Sequence, residues 1–183
     1  MIKTGKVLLA ILFTIYLLIL TKYIWFKFIS PREILEYLTF SPPHEYWAPP
    51  HNFVPFQTIQ LYLFKGDINL NIRIDNLVGN VLGFVPLGFM LPLIFSKLNR
   101  LWVVLLASFG LSLFYESGQM VFQLGSFDVD DLMLNTLGGL IGYLPVRYAW
   151  RYFVSQEKNT GMRIKLGLSA ATMLALMSGI RYM

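Results

Sequence analysis

Three groups of polar residues set inside apolar stretches carry the chemistry this chain could do. They are Asp75-Asn76-x-x-Gly79-Asn80, Glu116-x-x-Gln119 and Asp128-x-Asp130-Asp131-x-x-x-Asn135. A carboxyl or carboxamide at such a place is costly unless paired, so each is a candidate functional residue. Glu116 is foremost, because the apolar runs hold no Lys or Arg at its depth to balance a charge. It could act as a general acid or base, a cation site or a proton-coupled switch, or it could bond Asn80 or Asn135 and hold helices together. With Asp131 or Asp128 it would form a carboxyl pair for acid–base work on a lipid head group. The candidate ligand-binding set is Asn76, Asn80, Glu116, Gln119, Asp128, Asp131 and Asn135. Asp75-Asn76 and Asp130-Asp131 also have a plainer role, as caps at the starts of two helices.

Other chemistries lack their residues. There is no cysteine, which removes disulfides, thiolates and Cys-zinc sites. The only two histidines, His44 and His51, have no further Cys/His pair to complete a metal site and read as interfacial polar residues. Asp128-Val129-Asp130-Asp131 lacks the Gly and the distant Glu of a calcium loop. No Ser-His-Asp arrangement or phosphate loop is present. The expectation is therefore no metal and no cofactor.

The elements that must position these groups are membrane helices. The chain has 183 residues, 56% of them hydrophobic and only 14% charged, which is too apolar for a soluble domain. Apolar runs of spanning length fall at 6–26, 77–96, 101–124, 132–153 and 163–181, predicting an all-α transmembrane bundle of about five helices. The first run follows Lys3 and Lys6 and continues Thr21-Lys22-Tyr23-Ile24-Trp25-Phe26 without a small-residue cleavage site. It reads as an uncleaved signal anchor over 1–26. Residues 27–75 form an extracytoplasmic loop, punctuated by Ser41-Pro42-Pro43, Ala48-Pro49-Pro50 and Val54-Pro55-Phe56. Turns and extended chain should dominate there, with Tyr46, Trp47, Phe53, Phe56, Tyr62 and Phe64 as a cap at head-group level. A three-helix core over 76–153 and a C-terminal helix over 163–183 complete the organisation.

The charge distribution orients the bundle. Of fifteen Lys and Arg, nine (Lys3, Lys6, Lys97, Arg100, Arg147, Arg151, Lys158, Arg163 and Lys165) fall on one side of these spans. The positive-inside rule puts that side and the N-terminus in the cytoplasm, and the C-terminus outside. The net charge of +5 is accounted for in this way and gives no sign of nucleic-acid binding. On this reading Asn80, Asn135 and Gln119 lie about 6–7 Å, and Glu116 about 12 Å, below the outer helix ends. They would make one polar layer facing into the bundle.

Asp75-x-Leu77-x-x-Asn80-x-Leu82-Gly83 aligns with Asp130-x-Leu132-x-x-Asn135-x-Leu137-Gly138, five identities in nine at an offset of 55. Two helices entering from the same side would make a parallel pseudo-repeat. Gly79-x-x-x-Gly83 and Gly138-x-x-x-Gly142 should let these two helices pack closely on each other. Pro86 and Pro92 should bend the first of them.

Asn76-x-x-Gly79-Asn80-x-x-x-Phe84-x-Pro86-x-Gly88, Glu116-x-x-Gln119 and Asp128-x-x-Asp131-x-x-x-Asn135-Thr136-x-Gly138, with Asn52-Phe53-Val54-Pro55-Phe56 ahead of them, resemble the VanZ-like family of bacterial integral membrane proteins. The resemblance covers residues 52–146. It implies a plasma-membrane protein of the bacterial envelope, linked to reduced susceptibility to teicoplanin-type lipoglycopeptides, without naming a reaction. Many members carry an Arg just before the Asp128 element. Here that place reads Gly125-Ser126-Phe127, so a grip on phosphate or carboxylate does not carry over.

Three functions remain open on the sequence. The first is engagement of an amphiphile at the outer leaflet: a membrane lipid, a lipid-linked wall precursor or a lipoglycopeptide. The second is transport or lipid scrambling, and the third is lipid-modifying catalysis through Glu116.

Overall fold

The computed structural model describes residues 2–26, 50–65 and 68–159. His44, Tyr46, Trp47 and the apolar run at 163–181 lie outside these residues. Among those described, the chain is helical: α1 (Ile2–Trp25), α2 (Gln57–Phe64), α3 (Leu70–Ile94), a 3-10 turn (Ser96–Leu98), α4 (Leu101–Val121) and α5 (Val129–Asn159). The all-α bundle expected from the apolar runs is present. Residues Thr4–Trp25 of α1, together with α3 and α4, are long and apolar enough to cross a membrane. The run at 132–153 does become helix, inside α5, but α5 does not reach that apolarity. Its first turn holds Asp130 and Asp131, and Arg147 and Arg151 stand further along. It packs most extensively on α3 and then on α4.

The hydrophobic pattern is inverted relative to a soluble protein. Val7, Leu8, Ile11, Leu12, Ile15, Leu18 and Ile19 of α1 are exposed, as are Leu82 and Phe89 of α3 and Leu106 and Phe114 of α4. Ser108, Ser112, Glu116, Asp130 and Asn135 are buried. That arrangement suits a lipid surround, where burial between helices is worth most to small and polar groups. The apolar centre is Phe84 and Leu87 of α3, Leu20 of α1 and Tyr115 of α4. Two hydroxyls fasten α1 to it: Tyr16 donates to the Gly83 carbonyl at 2.8 Å, and the Thr21 and Tyr115 hydroxyls meet at 2.8 Å. The expected anchor is thus an integral part of the bundle.

Glycine brings α3 and α5 together, although not symmetrically. A Cβ on Gly138 or Gly142 would run into the Val81 or Val85 carbonyl of α3, and one on Gly88 into the Gly139 carbonyl. Gly79 and Gly83, by contrast, face Tyr23 and Leu20 of α1, which a Cβ would approach to 3.5 and 3.4 Å. The expectation that both glycine pairs face each other is half corrected: α3 offers α5 its backbone at Val81 and Val85 instead, and keeps its own Gly pair for α1.

The start of α3 is a second correction. The Asn69 side chain accepts from the Asn71 amide at 2.9 Å and caps the helix, which begins at Leu70. Asp75 and Asn76 therefore sit inside α3 rather than capping it, and the Asn76 carboxamide donates back to the Ile72 carbonyl at 2.7 Å. Arg73 donates to the Ile68 carbonyl at 3.0 Å and to the Lys65 carbonyl, closing the connection from α2. Helix α2 adds one short helix to the 27–75 stretch, where turns and extended chain are expected to dominate and of which residues 27–49 lie outside the described residues. Its stability comes from elsewhere in the molecule.

Candidate functional site

The polar groups converge where the N-terminal half of α3, the C-terminal end of α4, the start of α5 and the 50–59 segment meet. Residue 52 pairs with residue 128 as an isolated parallel bridge. The Asn52 amide donates to the Phe127 carbonyl at 2.8 Å, and the Val129 amide donates to the Asn52 carbonyl at 3.0 Å. The Asn52 side chain then spreads its amide over two partners, the Asp128 carboxylate at 2.8 Å and the Thr58 hydroxyl at 2.9 Å. Its oxygen accepts from the Val54 amide at 3.0 Å. His51 Nδ1 accepts from the Phe127 amide at 3.0 Å, and the Phe53 and Phe127 rings stack at 5.2 Å.

Asp130, fully buried, locks this segment in place. One carboxylate oxygen accepts from the Thr58 and Ile59 amides at 2.7 and 3.0 Å, and the other accepts from the Phe56 amide. These amides belong to the N-cap residue and first turn of α2, whose N-cap Phe56 has a left-handed φ of 68° and no side-chain cap of its own. An acid in the first turn of α5 thereby caps a different helix. The sequence gives no local signal of this, because such an Asp reads as serving its own helix.

Below Asp130 the remaining acids interlock. Asp128 accepts from the Asp130 amide at 2.8 Å, and its own amide donates to Glu116 Oε2 at 2.9 Å. Asp131 accepts from the Asn80 carboxamide, tying α3 to α5. Asp131 and Asp128 both lie close enough to Glu116 to act on it electrostatically. Tyr62 of α2 hangs over the same acids. Burial, then Asp131 and Asp128, raise its phenol pKa above the ordinary 10.0 and keep it neutral.

The expected partners of Glu116 are therefore corrected. It bonds the backbone at Asp128, while Asn80 goes to Asp131, and Asn135 donates to the Ser112 hydroxyl at 2.8 Å. Gln119 leaves the group and donates to the Ile24 carbonyl at 3.0 Å, holding the end of α1 together with Trp25, whose indole donates to the Tyr115 carbonyl at 3.1 Å. Among the described residues the Asn76 side chain bonds within its own helix. Asn80, Glu116, Asp128 and Asp131 form the assembled site; Asn52, Asp130 and Tyr62 complete it.

A buried polar column leads away from Glu116 along α4. Ser112 and Ser108 follow at successive i−4 positions and are both fully buried. The Asn135 side-chain oxygen beside Ser112 has no hydrogen-bond partner among the described residues. The four-residue spacing 108–112–116 is visible in the sequence and would have flagged this column. Among the described residues no three His, Asp or Glu side chains are grouped to hold a metal. In this site the Asp130 carboxylate turns to backbone N–H groups instead.

A family model described as VanZ/LLP1 matches residues 13–151. The match takes in the second half of α1, the 50–59 segment, α3, α4 and the whole site, and the chain belongs to that family. None of the curated proteins or solved structures compared with it matches.

Proposed function

From that membership and the geometry of the site, we propose that this chain is an envelope membrane protein that engages an amphiphile at the outer leaflet, and that this engagement lowers susceptibility to teicoplanin-type lipoglycopeptides. The positive-inside rule supports placing the 50–59 segment outside the cell. The observation that carries the reading is the layered build of that segment. Phe53, Val54 and Phe56 expose 63%, 58% and 51% of their surface, directly over a set of buried carboxyl groups. An acyl chain or aromatic ring has a surface to lie on, and hydroxyl or amino groups have acceptors beneath it.

The test is binding of teicoplanin to the full chain in nanodiscs, against a counterpart lacking the acyl tail. Replacing Phe53 and Val54 by Ser should weaken binding about tenfold, the worth of removing roughly one buried apolar side chain. Glu116→Gln, which preserves shape and a hydrogen-bond acceptor, should largely retain it. Equal affinity for the tailed and tail-less compounds would refute the reading.

One observation favours a second reading, transport or scrambling: the Ser108–Ser112–Asn135 column extends polarity toward the middle of the bundle. Lipid or proton flux in vesicles, lost in Asn135→Leu with folding intact, would support it. Catalysis through Glu116 predicts turnover of labelled envelope lipids that Glu116→Gln abolishes. Turnover unchanged in that variant would dismiss catalysis.

A further inference from the structure

The bundle has a second polar end, about 24 Å from Glu116 along α4. Between the start of α4 and the later turns of α5 lies a cavity of about 340 Å³, walled by Asn99, Arg100, Tyr143, Arg147, Trp150 and Arg151. We propose that this cavity binds a phosphoryl anion, as a site separate from the acidic layer at the other end.

Two features converge on that chemistry. The first is charge: three arginines line the cavity, and no acid is among its lining residues. Arg presents a planar fork that matches phosphate oxygens bidentately. The second is backbone. Helix α4 starts here with an extended N-cap, Arg100, that makes no side-chain cap bond, so the positive end of a 21-residue helix lies at this region. Tyr143, 3% exposed, and the half-buried Trp150 supply an apolar wall at the level where head groups sit.

Two sources carry such an anion: the head group of an anionic phospholipid in the adjacent leaflet, and free phosphate. The acidic layer cannot substitute, since its carboxylates would repel either.

The test uses the full chain released from mixed micelles of phosphatidylglycerol and phosphatidylcholine, with retained lipid read by native mass spectrometry. Phosphatidylglycerol should be retained over phosphatidylcholine by about tenfold. The double variant Arg100→Gln/Arg147→Gln should abolish that preference. The double variant Lys3→Gln/Lys6→Gln, which removes equal charge from the same end outside the cavity, should keep it. Displacement of the lipid by millimolar inorganic phosphate would identify free phosphate as the source, and resistance to displacement would identify the lipid.

If the Gln variant fails to fold, Arg100→Lys/Arg147→Lys preserves charge without the fork and should still cut the preference severalfold. No preference in the native chain, an equal loss in the lysine control, or an unaffected Arg→Lys variant would each overturn the proposal.

Discussion

Replacing Asp130 by Ala removes the acceptor of three backbone N–H groups in one step. Hydrogen bonds to a charged partner contribute about 1.5–3 kcal/mol each, so the three together hold the 50–59 segment by about 4.5 kcal/mol at the low end. The freed amides of Phe56, Thr58 and Ile59 lie near the surface and regain water, which returns part of that and leaves a local loss of about 3–4 kcal/mol. A loss of that size raises the open population of the segment by roughly several hundredfold. Hydrogen exchange of the full chain in nanodiscs reads this directly. Amides of 56–59 should exchange several hundredfold faster in Asp130→Ala, while the buried turns of α3 and α4 stay protected. Asp130→Asn retains one acceptor oxygen and should show a smaller acceleration. Unchanged exchange at 56–59, or acceleration spread evenly over every helix, would refute the capping argument.

Three further outcomes follow from the packing. Gly138→Ala should cost about 1–3 kcal/mol through overpacking against the Val81 carbonyl, whereas Gly110→Ala, where a Cβ meets nothing within 4 Å, should be neutral or stabilising in the same thermal assay. Ser112→Ala and Asn135→Leu should couple in a double-mutant cycle by about 0.6–1.7 kcal/mol, the range for hydrogen bonds between membrane helices, and strict additivity would deny the bond. Because Tyr62 has a raised pKa in the folded state, its contribution to stability is complete below pH 10 and is lost as pH climbs through the raised value. Protection of 56–65 from exchange should therefore fall above pH 10 in the native chain and not in Tyr62→Phe.

What could be read from the sequence followed from local physics. The runs that became α1 and α4 are apolar enough to span, and their observed bounds, Ile2–Trp25 and Leu101–Val121, lie within a few residues of those expected. The start of α3 escaped because Leu70-Asn71-Ile72-Arg73-Ile74-Asp75 mixes polar and apolar residues, so hydropathy alone delays the helix until Leu77. Helix α2 escaped for a different reason: its first turn is held by Asp130, more than seventy residues away, and no window along the chain contains both. For the site, an acid in an apolar run announced itself, and Glu116 is indeed 2% exposed. Its partner did not, because a backbone N–H at Asp128 is available to any sequence, and only the geometry of the 122–128 turn aims it at Glu116.

We propose that the 50–59 segment and the turn before α5 form a ligand-engaging surface on the outer side of the envelope. The chain contains no cysteine, so Ser126→Cys introduces a single thiol beside Phe127. Intact cells treated with a membrane-impermeant thiol reagent should label it, and prior addition of teicoplanin or a lipid-linked wall precursor should slow that labelling. Labelling that appears only after the membrane is permeabilised, or that neither amphiphile slows, would overturn this placement and engagement of the segment.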